Sequence, residues 1–362
     1  MGKARSTRRK FFLCALLPLL LVLTVPQFQR AGASTVLGKH GARLGPAASV
    51  VTDGAGGVRV LSHLVSRPVA MASSGSKIWV VSSASNSVTE IQANSGKILR
   101  VLRGTPYGLS GPDAVTVAAA DVWVANSKNG SVSEISATTG GLIRVITGAR
   151  YKFAESSSLV ANQSDVFVSN YGNASITVLN QRSGKLVRVI KGYQFHFSGP
   201  DCLTLKSGNL WVANAINNSV TEVRANSGGL VRWIEGRTFE LDLPASATSA
   251  GANLVVANEN GNSLTEINQK SGRLARVIKS TALDLNGPIS MVPYGNAMFV
   301  ANSGSNSVIE INSETGALVG VLRGARYGFN IPYAAVIDGS TLWVANYGSG
   351  SITGITLPKV TS

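Results

Sequence analysis

The residues here that could do chemistry are few: two cysteines, three histidines and 18 acids in 362 residues. Cys14 stands in a leader segment, which leaves Cys202 alone in the rest of the chain, so no intramolecular disulfide is expected. One cysteine with His40, His63 and His196 scattered along the chain cannot supply a tetrahedral zinc site. The sequence has no Gly-x-Ser-x-Gly elbow, phosphate-binding loop or His-Glu-x-x-His helix, so it assigns no catalytic residue. A carboxylate site for a divalent cation would draw on acids that break the local pattern: Asp113, Asp201, Asp242, Glu259 and Asp284. Asp113 and Asp201 are the metal candidates, because each follows a Gly-Pro pair. A turn hydrogen bond is the competing role for both. Otherwise no cofactor is expected. Candidate ligand-binding residues are Arg150, Lys152, His196, Arg237, Arg326 and Tyr347, side chains that vary where the surrounding text repeats.

That text repeats seven times at one spacing. Trp79, Trp123, Phe167, Trp211, Val255, Phe299 and Trp343 are successive anchors, 44 residues apart. Eight residues after each stands a serine, from Ser87 to Ser351. Each unit reads as four short strands rich in Val and Ile, which suit a pleated, half-buried surface. A Gly closes a three-residue turn between the third and fourth strands, as at Gly140 and Gly184, where a hairpin loop needs positive φ. Centring that turn sets Glu90 opposite Arg100, Glu134 opposite Arg144, Glu222 opposite Arg232 and Glu266 opposite Arg276. Those glutamates are therefore read as structural.

Four-stranded units of this length, repeated seven times, predict an all-β fold: a seven-bladed β-propeller of four-stranded blades. The last unit lacks its fourth strand. Residues 58–61 match it and are expected to complete the last blade, closing the ring. The propeller is placed at 58–358 and a flexible linker at 34–57. On such a blade the inter-blade loop and the second-to-third loop share a face. That face would gather the aromatics Tyr107, Tyr151, Phe195, Phe239 and Tyr327 and the amides Asn126, Asn170, Asn214, Asn258, Asn302 and Asn346. Two roles are open for them: a ligand platform, or wedges and caps within the blades.

The first 33 residues read as a signal peptide. Lys3, Arg5, Arg8, Arg9 and Lys10 precede an apolar run from Phe11 to Val25, and Ala31-Gly32-Ala33 offers a cleavage site. Arg8-Arg9 also fits a twin-arginine signal; the Leu-rich run suits the general secretory route equally. An exported protein, extracellular or in the cell envelope, is expected, touching membrane only if the leader is retained. The net charge is +15, but six of the basic residues lie in the leader and the rest are dispersed. Specific nucleic-acid binding is not expected.

Trp123-Val124-Ala125-Asn126 and its copies, followed by text such as Asn218-Ser219-Val220-Thr221-Glu222-Val223, resemble the YVTN-type bacterial propeller repeats and, more loosely, NHL repeats. The resemblance spans about 58–355 and implies fold rather than activity. The outline is also similar to the virginiamycin B lyase family, which implies a His-Glu-His constellation with magnesium. His40 and His63 precede the first unit and only His196 lies in an inter-blade loop, so the family's histidine pair has no match. The resulting expectation is a monomeric binding or scaffold module for protein, peptide or glycan ligands at the cell surface. The alternative is a metal-dependent lyase or lactonase-like enzyme with its site on the axis.

Overall fold

The structure, a computed structural model, describes residues 49–52, 57–62, 65–279 and 281–358. The leader, His40, His63 and most of the segment read as a linker lie outside these residues. Seven antiparallel sheets follow one another along the chain. Blade 1 runs Pro68–Ser74, Lys77–Ser82, Ser87–Gln92 and Ile98–Arg103, from inner strand to outer. Blades 2 to 6 repeat that order, beginning at Pro112, Ser156, Pro200, Pro244 and Pro288. The inner strands contact one another in a closed cycle, the last (Pro332–Asp338) against the first. This is the expected seven-bladed propeller.

Blade 7 supplies Pro332–Asp338, Thr341–Asn346 and Ser351–Thr356. Its fourth strand is Val58–Ser62, paired antiparallel with Ser351–Thr356 in the register Val58↔Ile355 and Leu61↔Ile352. Leu61 is fully buried in a cluster with Ile78, Ile91 and Trp343. The two ends of the propeller are thus held by one sheet, as the sequence predicts. A fifth strand, Ser49–Thr52, adds outside it within the segment read as linker.

The anchors build the walls between blades. Trp79, Trp123, Phe167, Trp211 and Trp343 are buried. Trp79 packs with Val115, Val122 and Ile135 of the next blade. Each anchor registers opposite a third-strand residue, which registers opposite a fourth-strand residue: Trp79↔Glu90↔Arg100, Trp211↔Glu222↔Arg232. The predicted ion pairs form at 2.5 Å for Arg100–Glu90, 2.8 Å for Arg144–Glu134, 2.6 Å for Arg232–Glu222 and 2.7 Å for Arg276–Glu266.

Arginines at this fourth-strand position also clip six of the blades to the next. Arg59 donates to the Asn94 carbonyl, Arg100 to Thr138, Arg144 to Ser183, Arg188 to Ala225, Arg232 to Lys270 and Arg276 to Ser313. All the acceptors lie at the third-to-fourth hairpin of the following blade. The hairpin glycine therefore has two reasons to be glycine. Gly140 holds φ 73°, and a Cβ there would collide with the Arg100 side chain. The sequence reading supplied only the first reason.

A second residue flanks each glutamate on the second strand. Lys77 pairs with Glu90 at 2.7 Å, Asn209 donates to Glu222 at 2.7 Å, and Asn253 donates to Glu266 at 3.0 Å. Blade 2 has Asp121 there instead. Burial pushes the Glu134 carboxyl up to about 7; Arg144 pulls it down, and Asp121 adds to the rise. Because the folded value exceeds the unfolded one, this group's contribution to stability is present below about 4.5 and lost as pH rises through about 7. Asp121→Asn replaces the repulsion with the hydrogen bond of blades 4 and 5. It should raise stability by about 1 kcal/mol at pH 8 and by less at pH 5, in urea melts at both pH values.

Candidate functional site

The recurrent aromatics and amides serve the scaffold. Asn126, Asn170, Asn214, Asn258, Asn302 and Asn346 are fully buried. Asn214 Nδ2 donates to Ser219 Oγ at 3.1 Å and to Thr221 Oγ1 at 3.0 Å, and Thr221 donates to the Phe195 carbonyl at 2.8 Å. The same chain of bonds recurs through Asn170, Thr177 and Tyr151, and through Asn346, Thr353 and Tyr327. With its equivalents in blades 2 and 5, it fastens the inter-blade loop to its own blade in five of the seven blades. The aromatics pack into the cores: Phe195 stacks on Phe197, Tyr151 on Phe153 and Tyr327 on Phe329. Of the two roles open in the sequence, the structure gives the second.

Neighbouring loops are stitched as well. Asn86 accepts from the Gly111 amide at 2.7 Å, Asn218 from Leu243 at 2.9 Å, Asn262 from Gly287 at 2.8 Å and Asn306 from Ile331 at 2.6 Å. These bonds tie neighbouring loops of that face to one another.

The predicted binding residues divide. Arg150, Lys152, His196, Arg237 and Arg326 are exposed on inter-blade loops of blades 3, 3, 4, 5 and 7. They sit toward the outer rim. His196, at φ 52°, stacks on Trp233 of its blade's outer strand, ring centroids 3.6 Å apart. Arg326 lies 5.5 Å from the Tyr327 ring. Tyr347 belongs elsewhere. It follows Asn346 near the axis, its ring 5.5 Å from Tyr333, with the Arg67 guanidinium 5.7 Å from its centroid.

Tyr333 occupies a telling position. One residue after the opening residue of each inner strand stand Val69, Asp113, Ser157, Asp201, Ala245, Ile289 and Tyr333. These seven ring one mouth of the channel, and only the two aspartates repeat among them. Asp201 adds to the rise of the neighbouring Glu259 carboxyl, which burial mainly drives up to about 7. Glu259 follows Asn258 as Tyr347 follows Asn346. The mouth thus carries an acidic side, Asp201 with Glu259, and an aromatic–cationic side, Tyr333, Tyr347 and Arg67. Asp113 lies between. Asp284 instead pairs with Arg323 at 2.7 Å on an exposed rim.

Sequence reasoning missed Arg67, Tyr333 and Trp233. Tyr333 had a legible signal, since it breaks a column otherwise filled by small, aliphatic or acidic residues. Arg67 and Trp233 become partners only through contact.

Among the described residues no three His, Cys, Asp or Glu side chains converge as ligands. Cys202 is half-buried on the inner strand of blade 4, where its sulfur accepts from the Ala247 amide of the next inner strand at 3.3 Å. Ser158 and Ser290 accept the equivalent bonds from Leu203 and Ala335. Burial pushes the Cys202 thiol up to about 11, and its sulfur stitches one inner strand to the next.

Solved structures share this architecture. A streptogramin B lyase structure superposes with a TM-score of 0.69 at 16% identity, covering 83% of this chain and 97% of that one. A catalytically inactive virginiamycin B lyase from Staphylococcus aureus with quinupristin gives 0.71 at 19%, covering 83% and 99%. The likeness is one of fold. Kuenenia stuttgartiensis hydrazine synthase gives 0.65 at 20%, covering 82% and 97%, so the same wheel recurs under different names. No protein-family model and no curated protein matches the sequence.

Proposed function

We propose that this chain is an exported propeller that acts as a binding or scaffold module for a protein, peptide or glycan, engaged at the loop-face mouth of its channel. One observation carries the reading. Some of the residues that break the seven-fold pattern meet there: Tyr333, Tyr347 and Arg67 form an aromatic–cationic patch on one side of the mouth, and Asp201 with Glu259 an acidic one on another, on a face whose loops are fastened by buried amides. Two tyrosines and a guanidinium suit stacking against a sugar face or a peptide side chain. Export rests on the leader's basic start, apolar run and Ala-x-Ala site.

The second reading is a metal-dependent lyase or lactonase-like enzyme with its site on the axis, and the fold shared with two lyases favours it. Glycan and peptide arrays probed with the chain from Ser34 onward separate the two. The binding reading expects hits that weaken about tenfold with Tyr347→Ala or Tyr333→Ala. Arrays without hits, combined with thermal stabilisation by one divalent ion alone, would overturn it for the enzyme.

A further inference from the structure

Blade 6 departs from its sisters at one spot. Its anchor row reads Phe299↔Glu310↔Gly320. The fourth-strand arginine is replaced by glycine, and the second-strand partner, Lys77, Asn209 or Asn253 elsewhere, is Ala297. Glu310 has therefore lost both groups that neutralise Glu90, Glu222 and Glu266. The reason for the missing arginine lies next door. Blade 7 takes its fourth strand from the other end of the chain, so it has no third-to-fourth hairpin whose carbonyls could receive a clip.

The space remains. A Cβ at Gly320 would meet nothing within 4 Å, and its φ is not left-handed. Glu310 is half-buried, where its sisters are nearly sealed. The row faces blade 7, where Phe299 packs with Leu342, Ile355 and Leu357. Burial raises the Glu310 carboxyl, as expected of an acid in a partly dry groove.

We propose that the groove between blades 6 and 7 is a receptor for one guanidinium group, the arginine side chain of a partner polypeptide, which takes the position that Arg100, Arg144, Arg232 and Arg276 fill in the other blades. The template is internal: the same carboxylate position grips a guanidinium at 2.5 to 2.8 Å four times in this molecule. An apolar wall beside the carboxylate suits the arginine stem, and a planar guanidinium fits a carboxylate better than an ammonium does. This site lies away from the channel mouth and does not depend on the function proposed for it.

The test is calorimetric titration of the full chain with N-acetyl-L-argininamide, using N-acetyl-L-lysinamide as the comparison. Saturable binding of the arginine probe is expected, with the lysine probe clearly weaker. Glu310→Gln should weaken arginine binding about tenfold, the loss of one charge-assisted contact. Gly320→Arg should fill the groove from within, abolishing binding and raising the melting temperature. No binding by the native chain would overturn the proposal. So would binding that both variants retain, or equal affinity for the two probes.

Discussion

A chain that starts at Val65 should melt about 10 °C or more below the full-length protein. Removing Val58–Ser62 takes away the fourth strand of blade 7 and its pairing with Ser351–Thr356. It also removes Val58 and Leu61, at 3% and 0% exposure, from two separate cores. Each buried aliphatic is worth about 1.5–3 kcal/mol, so with the lost strand pairing the deficit reaches about 5 kcal/mol. In a domain of this size that is about 2 °C per kcal/mol. The newly bare edge of Ser351–Thr356 would add a tendency to self-associate. Scanning calorimetry reads the first effect and light scattering the second. Leu61→Ala, which keeps the strand, should cost about 2–5 kcal/mol by the cavity it leaves. An unchanged melting curve for the truncated chain would mean that the ring is closed without this strand.

Arg232→Met is the second large expected effect. Arg232 neutralises Glu222, which is 1% exposed, and donates to the Lys270 carbonyl of blade 5. Breaking a buried pair by removing one partner costs about 3–5 kcal/mol. The Arg232 side chain is 26% exposed, so solvent screening brings the expectation down to about 2–3 kcal/mol at pH 8. The cost should fall at pH 5. Burial already raises the Glu222 carboxyl, and without the arginine it binds a proton more readily still, which removes the uncompensated charge. Urea melts at the two pH values measure the difference. A loss that is the same at both would assign the effect to lost packing alone. Blade 6 shows why nature tolerates a glutamate without arginine at one place: Glu310 keeps contact with water, whereas Glu222 does not.

The two cases show what kind of information was legible beforehand. The Glu–Arg pairing followed from hairpin register, because opposite residues in a ladder are set by turn length alone. The clip from each arginine to the next blade did not, since those partners stand about 38 residues away and meet only when blades stack. Asn126 and its copies illustrate the same limit. Their recurrence marked them, but recurrence cannot tell a buried amide from a presented one. Burial decided it, through the hydroxyls at Ser131 and Ser133 that meet the Asn126 amide. The binding candidates were chosen as breaks in the pattern, a sound criterion that still mixes rim with axis. Tyr347 came to the channel mouth, and Arg150, Lys152, His196, Arg237 and Arg326 to the periphery.

The sequence by itself determined the number of blades, the strand order, the hairpin register and the closure by 58–61. These depend on local periodicity and on which strand is missing from the last repeat, and both are written along the chain. The tertiary structure alone decided which irregularities share a surface. It set Tyr333 beside Tyr347 and Asp201 near Glu259, and it left Glu310 facing a blade with no hairpin to clip. Contacts across blades join residues that no period relates, so only the closed wheel shows where the repeat is broken in space.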